Sequence, residues 1–307
     1  MLKPENVRFL RGNSIRPAEM SGLEIGPHNQ PMVSKDEGDI LYMDFMSRDE
    51  HIKSAPNVPY IEEIPETDII IKDNNYISYI GDRRFDYIIA NHVGEHAPDF
   101  IGFLNMLSSM LNANGIVFLA LPDKKFTFDK FRQNTTLSHV VSDYLCGPQT
   151  SIKEHMLEDL LFYDRSFVGA PQDLESRLSK HAIERKLNTV PHYGLHCHVF
   201  QSETIVDSLL VPLTHTGFID LDVLEFYEAR PERGGEMILL LVKREATHFL
   251  QPEKFLVNQF SLKDDQCNAT EPVEQVAYAN AKTLSVASAK AILNKIYSKF
   301  FGDRNCA

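Results

Sequence analysis

The segment Gly22-Leu23-Glu24-Ile25-Gly26-Pro27 decides how the chain is read. Leu23 and Ile25 are the apolar residues of a short buried strand that runs into a glycine turn. Gly26 can take backbone conformations closed to other residues, and it has no Cβ to hold a ligand away. A nucleotide can therefore lie against the backbone at the strand's C-terminal end, where open α/β sheets bind their ligands. By itself the segment reads as readily as a plain turn, so its neighbours carry the decision.

Pro31 stands where a short helix would begin. A second strand, Asp39 to Met43, ends on Asp44. An acid at this place, about 20 residues after the glycine turn, accepts hydrogen bonds from both hydroxyls of a ribose. The alternative for Asp44 is a solvated strand end or a helix cap. Ile69 to Lys72 reads as a third strand ending at Asp73, with Asp68 as the competing acid and a turn before Asn74-Asn75 as the plain alternative. The fourth strand lies in Phe85-Asp86-Tyr87-Ile88-Ile89-Ala90-Asn91, where the apolar run marks burial on both faces. Asn91 and His92 emerge at its C-terminal end. A helix follows from Pro98 to Asn112, with Ile101, Leu104, Leu107 and Leu111 at helical spacing. Asn114-Gly115 ends that helix, and a fifth strand runs from Ile116 to Leu121.

Leu23-Glu24-Ile25-Gly26-Pro27, the Phe85 to His96 stretch and Asn114-Gly115 followed by its apolar run together resemble the class I S-adenosylmethionine-dependent methyltransferases, over roughly residues 15–245. The resemblance implies an α/β fold: a Rossmann-like, seven-stranded, doubly wound sheet with an antiparallel last strand. It implies S-adenosyl-L-methionine as cofactor, with Glu24, Gly26, Pro27, Asp44, Asp73 and Asn91 contacting it. Asp73 would meet the adenine amino group. The first motif departs from the commoner Gly-x-Gly-x-Gly, since Glu24 and Pro27 flank the single Gly26. This form is similar to bacterial methyltransferases of glycan and cell-surface pathways, which implies O-methylation of a sugar or a related small-molecule acceptor. The rival reading is a non-catalytic protein that keeps the fold for binding or assembly. A dinucleotide oxidoreductase is disfavoured, because Glu24 stands where Gly-x-Gly-x-x-Gly needs glycine.

Methyl transfer to a hydroxyl gains from a general base. His92 and His96 are the catalytic candidates, because imidazole is available neutral near pH 7. His92 is preferred for its place at the strand end; the alternative is a histidine that only hydrogen-bonds the cofactor or the backbone. His92-x-x-Glu95-His96 is also similar to the Glu-x-x-Glu-His with which some O-methyltransferases bind a divalent ion, with His92 in place of the first Glu. One of His192, His196 or His198 would complete such a site. No metal is assigned. His196 and His198 share a face of an extended segment and either line the acceptor pocket or form a polar edge of the lid. Asp123 either faces the acceptor or caps a turn.

The expected domains are a methyltransferase domain, 1–245, whose residues 124–190 form a helical insertion over the acceptor, and a tail, 246–307, of connector and amphipathic helix. Ser202 to Leu210 reads as a helix with a serine cap, and the segments around 218–226 and 237–242 as the antiparallel pair that closes the sheet. In the tail, lysines flank an apolar face between 276 and 302 in the pattern of a helix that meets anionic lipid; docking on its own domain or on a second copy is the alternative. A net charge of -12 argues against a nucleic-acid partner. Four scattered cysteines, no signal peptide and no apolar run of about 18 residues place the protein in the cytoplasm, or peripherally at the inner face of a membrane.

Overall fold

The computed structural model describes residues 14–54, 63–73, 75–149, 151–168, 179–189 and 194–244. His192, the expected tail helix and the whole of 246–307 lie outside the described residues.

Strands β1 (Gly22–Ile25), β2 (Ile40–Asp44), β3 (Ile69–Ile70), β4 (Phe85–Asn91) and β5 (Leu111–Pro122) are joined by helices α1 (Arg48–Ser54), α2 (Tyr76–Ile80) and α3 (Phe100–Ser109). Helices α4 (Leu137–Cys146), α5 (Ile152–Phe162) and α6 (Lys180–Leu187) follow β5. The chain returns through α7 (Ser202–Ile205), a π turn (Val206–Leu210) and α8 (Val211–His215) to β6 (Leu221–Tyr227) and β7 (Glu236–Lys243). The sheet order is β3-β2-β1-β4-β5-β7-β6. β1 to β5 run parallel, whereas β7 is antiparallel to both β5 and β6. This is the expected seven-stranded sheet.

Strand alternation sorts the core into two faces. Leu23, Ile25, Ile88, Ala90, Val117 and Leu119 pack against Phe100, Ile101, Leu104 and Leu107 of α3. Tyr42, Tyr87, Ile89, Phe118 and Leu240 point the other way, where Ile15, Met32 and Val33 cover them. Among the described residues this second face is covered by turns of 14–20 and 27–39, and the short helix expected at Pro31 is absent. Glu24 explains why turns suffice. It is 1% exposed, and its carboxylate accepts from Met32 N at 2.9 and 3.0 Å and from Val33 N at 3.4 Å. A buried carboxylate bonded to backbone N–H groups fixes a loop as firmly as a helix would.

The switch in connection order falls between β1 and β4, the place where such sheets bind ligands. Ile25 pairs with Ala90, so Gly26 and Asn91 leave the sheet side by side. Gly22 is needed for close packing, since a Cβ there would stand 2.1 Å from the Tyr87 ring. Gly26 has φ +64°, the left-handed region that favours glycine.

Three local expectations change. Helix α3 ends at Ser109, not Asn112, and β5 begins at Leu111. Asn114, with φ 59°, makes an irregular turn inside that strand instead of ending the helix; asparagine tolerates this conformation better than most residues. β3 has only two residues, so Asp73 lies in the turn beyond it. The α7 cap is not Ser202: Asp123 Oδ2 accepts from Ser202 N at 2.8 Å, across the fold.

Candidate active site

The site assembles where four segments meet above β1, β4, β5 and β7. The turn Gly94–His96 follows β4. Its Glu95 carbonyl accepts from Cys197 N at 2.7 Å and His198 N at 3.0 Å, which stitches the histidine-rich segment 194–200 onto the sheet's end. Segment 123–132 lies beside it, joined by Lys124 N donating to Phe200 O at 3.0 Å. Gly234-Gly235 with Glu236, the first residue of β7, closes the fourth side. Between them is a cavity of about 560 Å³ lined by Gly26, Pro27, Asn91, His92, His196 and Glu236, with Phe126, Phe128 and Phe167 among its apolar wall. This size and lining suit a small ligand.

The sequence-named residues divide into two groups. Gly26, Pro27, Asn91 and His92 line the cavity. Asn91 Oδ1 is buried and meets no hydrogen-bond partner, so it offers an acceptor to a ligand's amino or ammonium group. Glu24, Asp44 and Asp73 are not on its wall. Glu24 faces inward and holds Met32 and Val33. Asp44 ends β2; one oxygen accepts from Met46 N at 3.2 Å and the other lies 3.2 Å from His51 Nε2. Asp73 accepts from Asn75 N at 2.9 Å, an Asx turn on the surface. Asp123 is 1% exposed, and its two oxygens serve Lys125 N and Ser202 N; the turn-and-cap role is the one it fills.

His92 differs from its expectation as a neutral base. Its Nδ1 lies 3.2 Å from Glu95 Oε1 and its Nε2 2.9 Å from Glu236 Oε1. Burial alone would lower its pKa, but hydrogen bonds and charge from Glu236 and Glu95 outweigh it and raise the pKa to about 10. The ring is therefore a cation near pH 7, with no lone pair for a substrate proton. The shift runs upward, so its contribution to stability is complete below the unfolded value of about 6.5 and is lost as pH rises through about 10. With 41% of the side chain exposed, solvent screens the pairing to about 1 kcal/mol. Raising the pH from 7 toward 10 should lower the melting temperature by about 2–4 °C in the wild type, and by less in His92→Gln. Equal slopes in thermal melts of the two proteins would refute the pairing.

His96 stays neutral: burial lowers its pKa more than Glu95 raises it. Its Nδ1 donates to Leu195 O at 3.0 Å, but it does not line the cavity. The histidine of this pair of segments that does is His196. Its Nδ1 lies 2.5 Å from Asp129 Oδ2. The carboxylate accepts from Nδ1 and turns Nε2 away from it, the way carboxylates orient catalytic and metal-binding histidines. Arg132 supports the pair, donating from Nη1 to Asp129 Oδ1 at 3.0 Å and to the His196 carbonyl at 2.8 Å. Asp129, Arg132 and Glu236 were missed in the sequence. The one signal was the Asp129-x-x-Arg132 spacing, which has no meaning until His196 is brought across from the far end of the insertion. Glu95, His96 and His196 also bring one ligand atom each within 4.8 Å of one another, so of the two described histidines weighed for that cluster, His196 and His198, it is His196 that joins it.

The sequence matches the family described as methyltransferase domain over residues 5–207, and the chain belongs to that family. It is an S-adenosylmethionine-dependent methyltransferase. Solved structures that resemble it include a putative S-adenosylmethionine-dependent methyltransferase from Listeria monocytogenes, at 12% identity over 78% of this chain and 100% of that one, with a TM-score of 0.40. A ribosomal protein L11 methylase from Lactobacillus delbrueckii subsp. bulgaricus matches at 12% identity over 79% of each chain, with a TM-score of 0.34. Magnesium protoporphyrin IX methyltransferase from Synechocystis PCC 6803 matches at 11% over 78% and 76%, with a TM-score of 0.34. No curated protein matches the sequence.

Proposed function

We propose that the protein methylates a hydroxyl of a sugar or a related small molecule, and that His196, oriented by Asp129, receives the hydroxyl proton. The observation that carries this reading is an imidazole on the cavity wall with a buried carboxylate on its far nitrogen. Donor binding falls to Gly26, Pro27, Asn91 and, at the end of β2, Asp44. When bound, the sulfonium donor supplies an electrophilic methyl carbon. The protein's part is to hold the acceptor oxygen in line with it, a proximity effect worth up to about 7–11 kcal/mol, and to take the proton. The imidazolium of His92 stands beside Glu236 at the same wall and fits the anchoring of a polar acceptor group. The sugar assignment rests on the single-glycine form of the first motif. Transfer of labelled methyl from S-adenosylmethionine to a panel of sugar nucleotides and lipid-linked sugars tests it. Label in an ether-linked product supports the reading; label appearing only on amine or carbon acceptors overturns it.

A further inference from the structure

We infer that His139, Asp143, His155 and His198 form a second, buried site for one divalent transition-metal ion, zinc by the character of its donors, which fastens the inserted helices to the methyltransferase core. His139 and Asp143 lie one turn apart on α4, so both face the same side. His155 comes from α5 and His198 from the segment stitched to Glu95. None of the four lines the donor cavity.

The geometry is that of a ligand set more than of a hydrogen-bond network. One ligand atom from each of His139, Asp143 and His198 falls within 4.8 Å of the others. His155 Nε2 stands 3.4 Å from His139 Nε2. Bonds of about 2.0–2.1 Å to a tetrahedral zinc would set neighbouring nitrogens about 3.3 Å apart. Asp143 Oδ2 lies 3.1 Å from His139 Nε2, yet it is buried with no bond in hydrogen-bond geometry. His198 is 1% exposed, and neither of its ring nitrogens has such a partner. Two unpartnered imidazole nitrogens in the interior are costly; a shared cation satisfies one of them and the orphaned carboxylate oxygen together. The other Asp143 oxygen is already fixed, accepting from Ser151 Oγ at 2.5 Å, the kind of support that orients a metal-bound carboxylate.

Three imidazoles and one carboxylate suit zinc. Four protein ligands leave no open position, which is the structural kind of site. Burial pushes His155 down to about 4, and burial with the neighbouring histidines lowers His198 as well; neutral imidazole is the form that ligates. The insertion has reason to need such a fastening. Among the described residues the buried apolar cluster beside the main core is Met156 of the insertion with Leu195 and Cys197, and small units with little core are commonly held by a metal.

The test uses the tag-free full-length chain. After loading with zinc and gel filtration, elemental analysis should find zinc retained, and cobalt(II) in its place should give the intense visible absorption of a tetrahedral site. Asp143→Asn and His155→Gln should weaken zinc binding by more than about 100-fold in chelator competition, whereas His96→Ala, in the neighbouring cluster, should leave the cobalt spectrum unchanged. Zinc that survives both first substitutions, or is lost only in His96→Ala, overturns the assignment. Should the ligand variants fail to fold, the wild type decides: a melting temperature that drops on zinc removal and recovers on readdition supports the site, and one indifferent to zinc overturns it.

Discussion

Replacing His196 by asparagine should lower kcat by about 10²- to 10⁴-fold, the usual worth of a general base, while leaving the affinity for S-adenosylmethionine within about twofold of wild type. Asparagine keeps a donor near Asp129 Oδ2, so the buried carboxylate retains a partner and the fold survives. It has no nitrogen able to take a proton. The two readouts separate a base from a structural residue: a structural residue would lose donor binding and turnover together. Partial rescue of turnover by added imidazole should accompany the loss. His92→Gln should cost much less in kcat, since a ring already protonated between Glu95 and Glu236 cannot receive the proton. Turnover in His196→Asn within about threefold of wild type would remove this residue from the mechanism and return the question to His96.

The largest loss of stability should come from Arg132→Met. The Arg132 side chain is 1% exposed and, among the described residues, is one of the largest fully buried side chains. It donates to Asp129 Oδ1, to the His196 carbonyl and, from Nε at 3.2 Å and Nη2 at 2.9 Å, to Glu158 Oε2. Methionine fills similar volume but leaves Asp129, itself 4% exposed, with its charge partly uncompensated. Breaking a buried pair in this way costs about 3–5 kcal/mol, a large share of a typical 5–15 kcal/mol. The melting temperature should drop by about 10 °C, at about 2–4 °C per kcal/mol for a chain of this size. Arg132→Lys should fall between, because lysine keeps the charge but not the planar fork that reaches two carboxylates and a carbonyl. The exposed pair Arg16–Glu19, with side chains 64% and 60% exposed, gives the contrast: Arg16→Ala should change stability by less than about 1 kcal/mol. A loss under about 1 kcal/mol in Arg132→Met, read from urea unfolding, would show that the network is not under tension from its buried charges.

The sheet was legible because its signals are local. Leu23-Glu24-Ile25-Gly26 and Phe85 to Asn91 carry burial and turn chemistry within a few residues, and the antiparallel pair showed as two apolar runs around a glycine loop. Helix ends were less legible. Asn114-Gly115 has the letters of a helix stop, yet Leu111 is drawn into pairing with Phe85, and tertiary pairing overrides local preference. The cavity was half legible. Gly26, Asn91 and His92 could be placed because a strand's C-terminal end fixes where its last residues emerge. Glu24 could not be assigned its inward role, since nothing near it in sequence shows that Met32 and Val33 turn back onto it. The proposed base was out of reach for the same reason: Asp129 and His196 are 67 positions apart and meet only after segment 194–200 is hydrogen-bonded to Glu95. Protonation states are equally a property of the assembled site. His92 looked like the base from its position alone, and it is the company of Glu95 and Glu236 that makes it a cation.

Calorimetric titration of the folded protein with S-adenosylmethionine, beside NAD as control, tests the central claim most directly. The expected result is micromolar binding of S-adenosylmethionine, none of NAD, and at least tenfold weaker binding in Asp44→Ala, whose carboxylate we propose as the ribose partner at the end of β2. A folded wild type that takes up no S-adenosylmethionine at sub-millimolar concentration would contradict it.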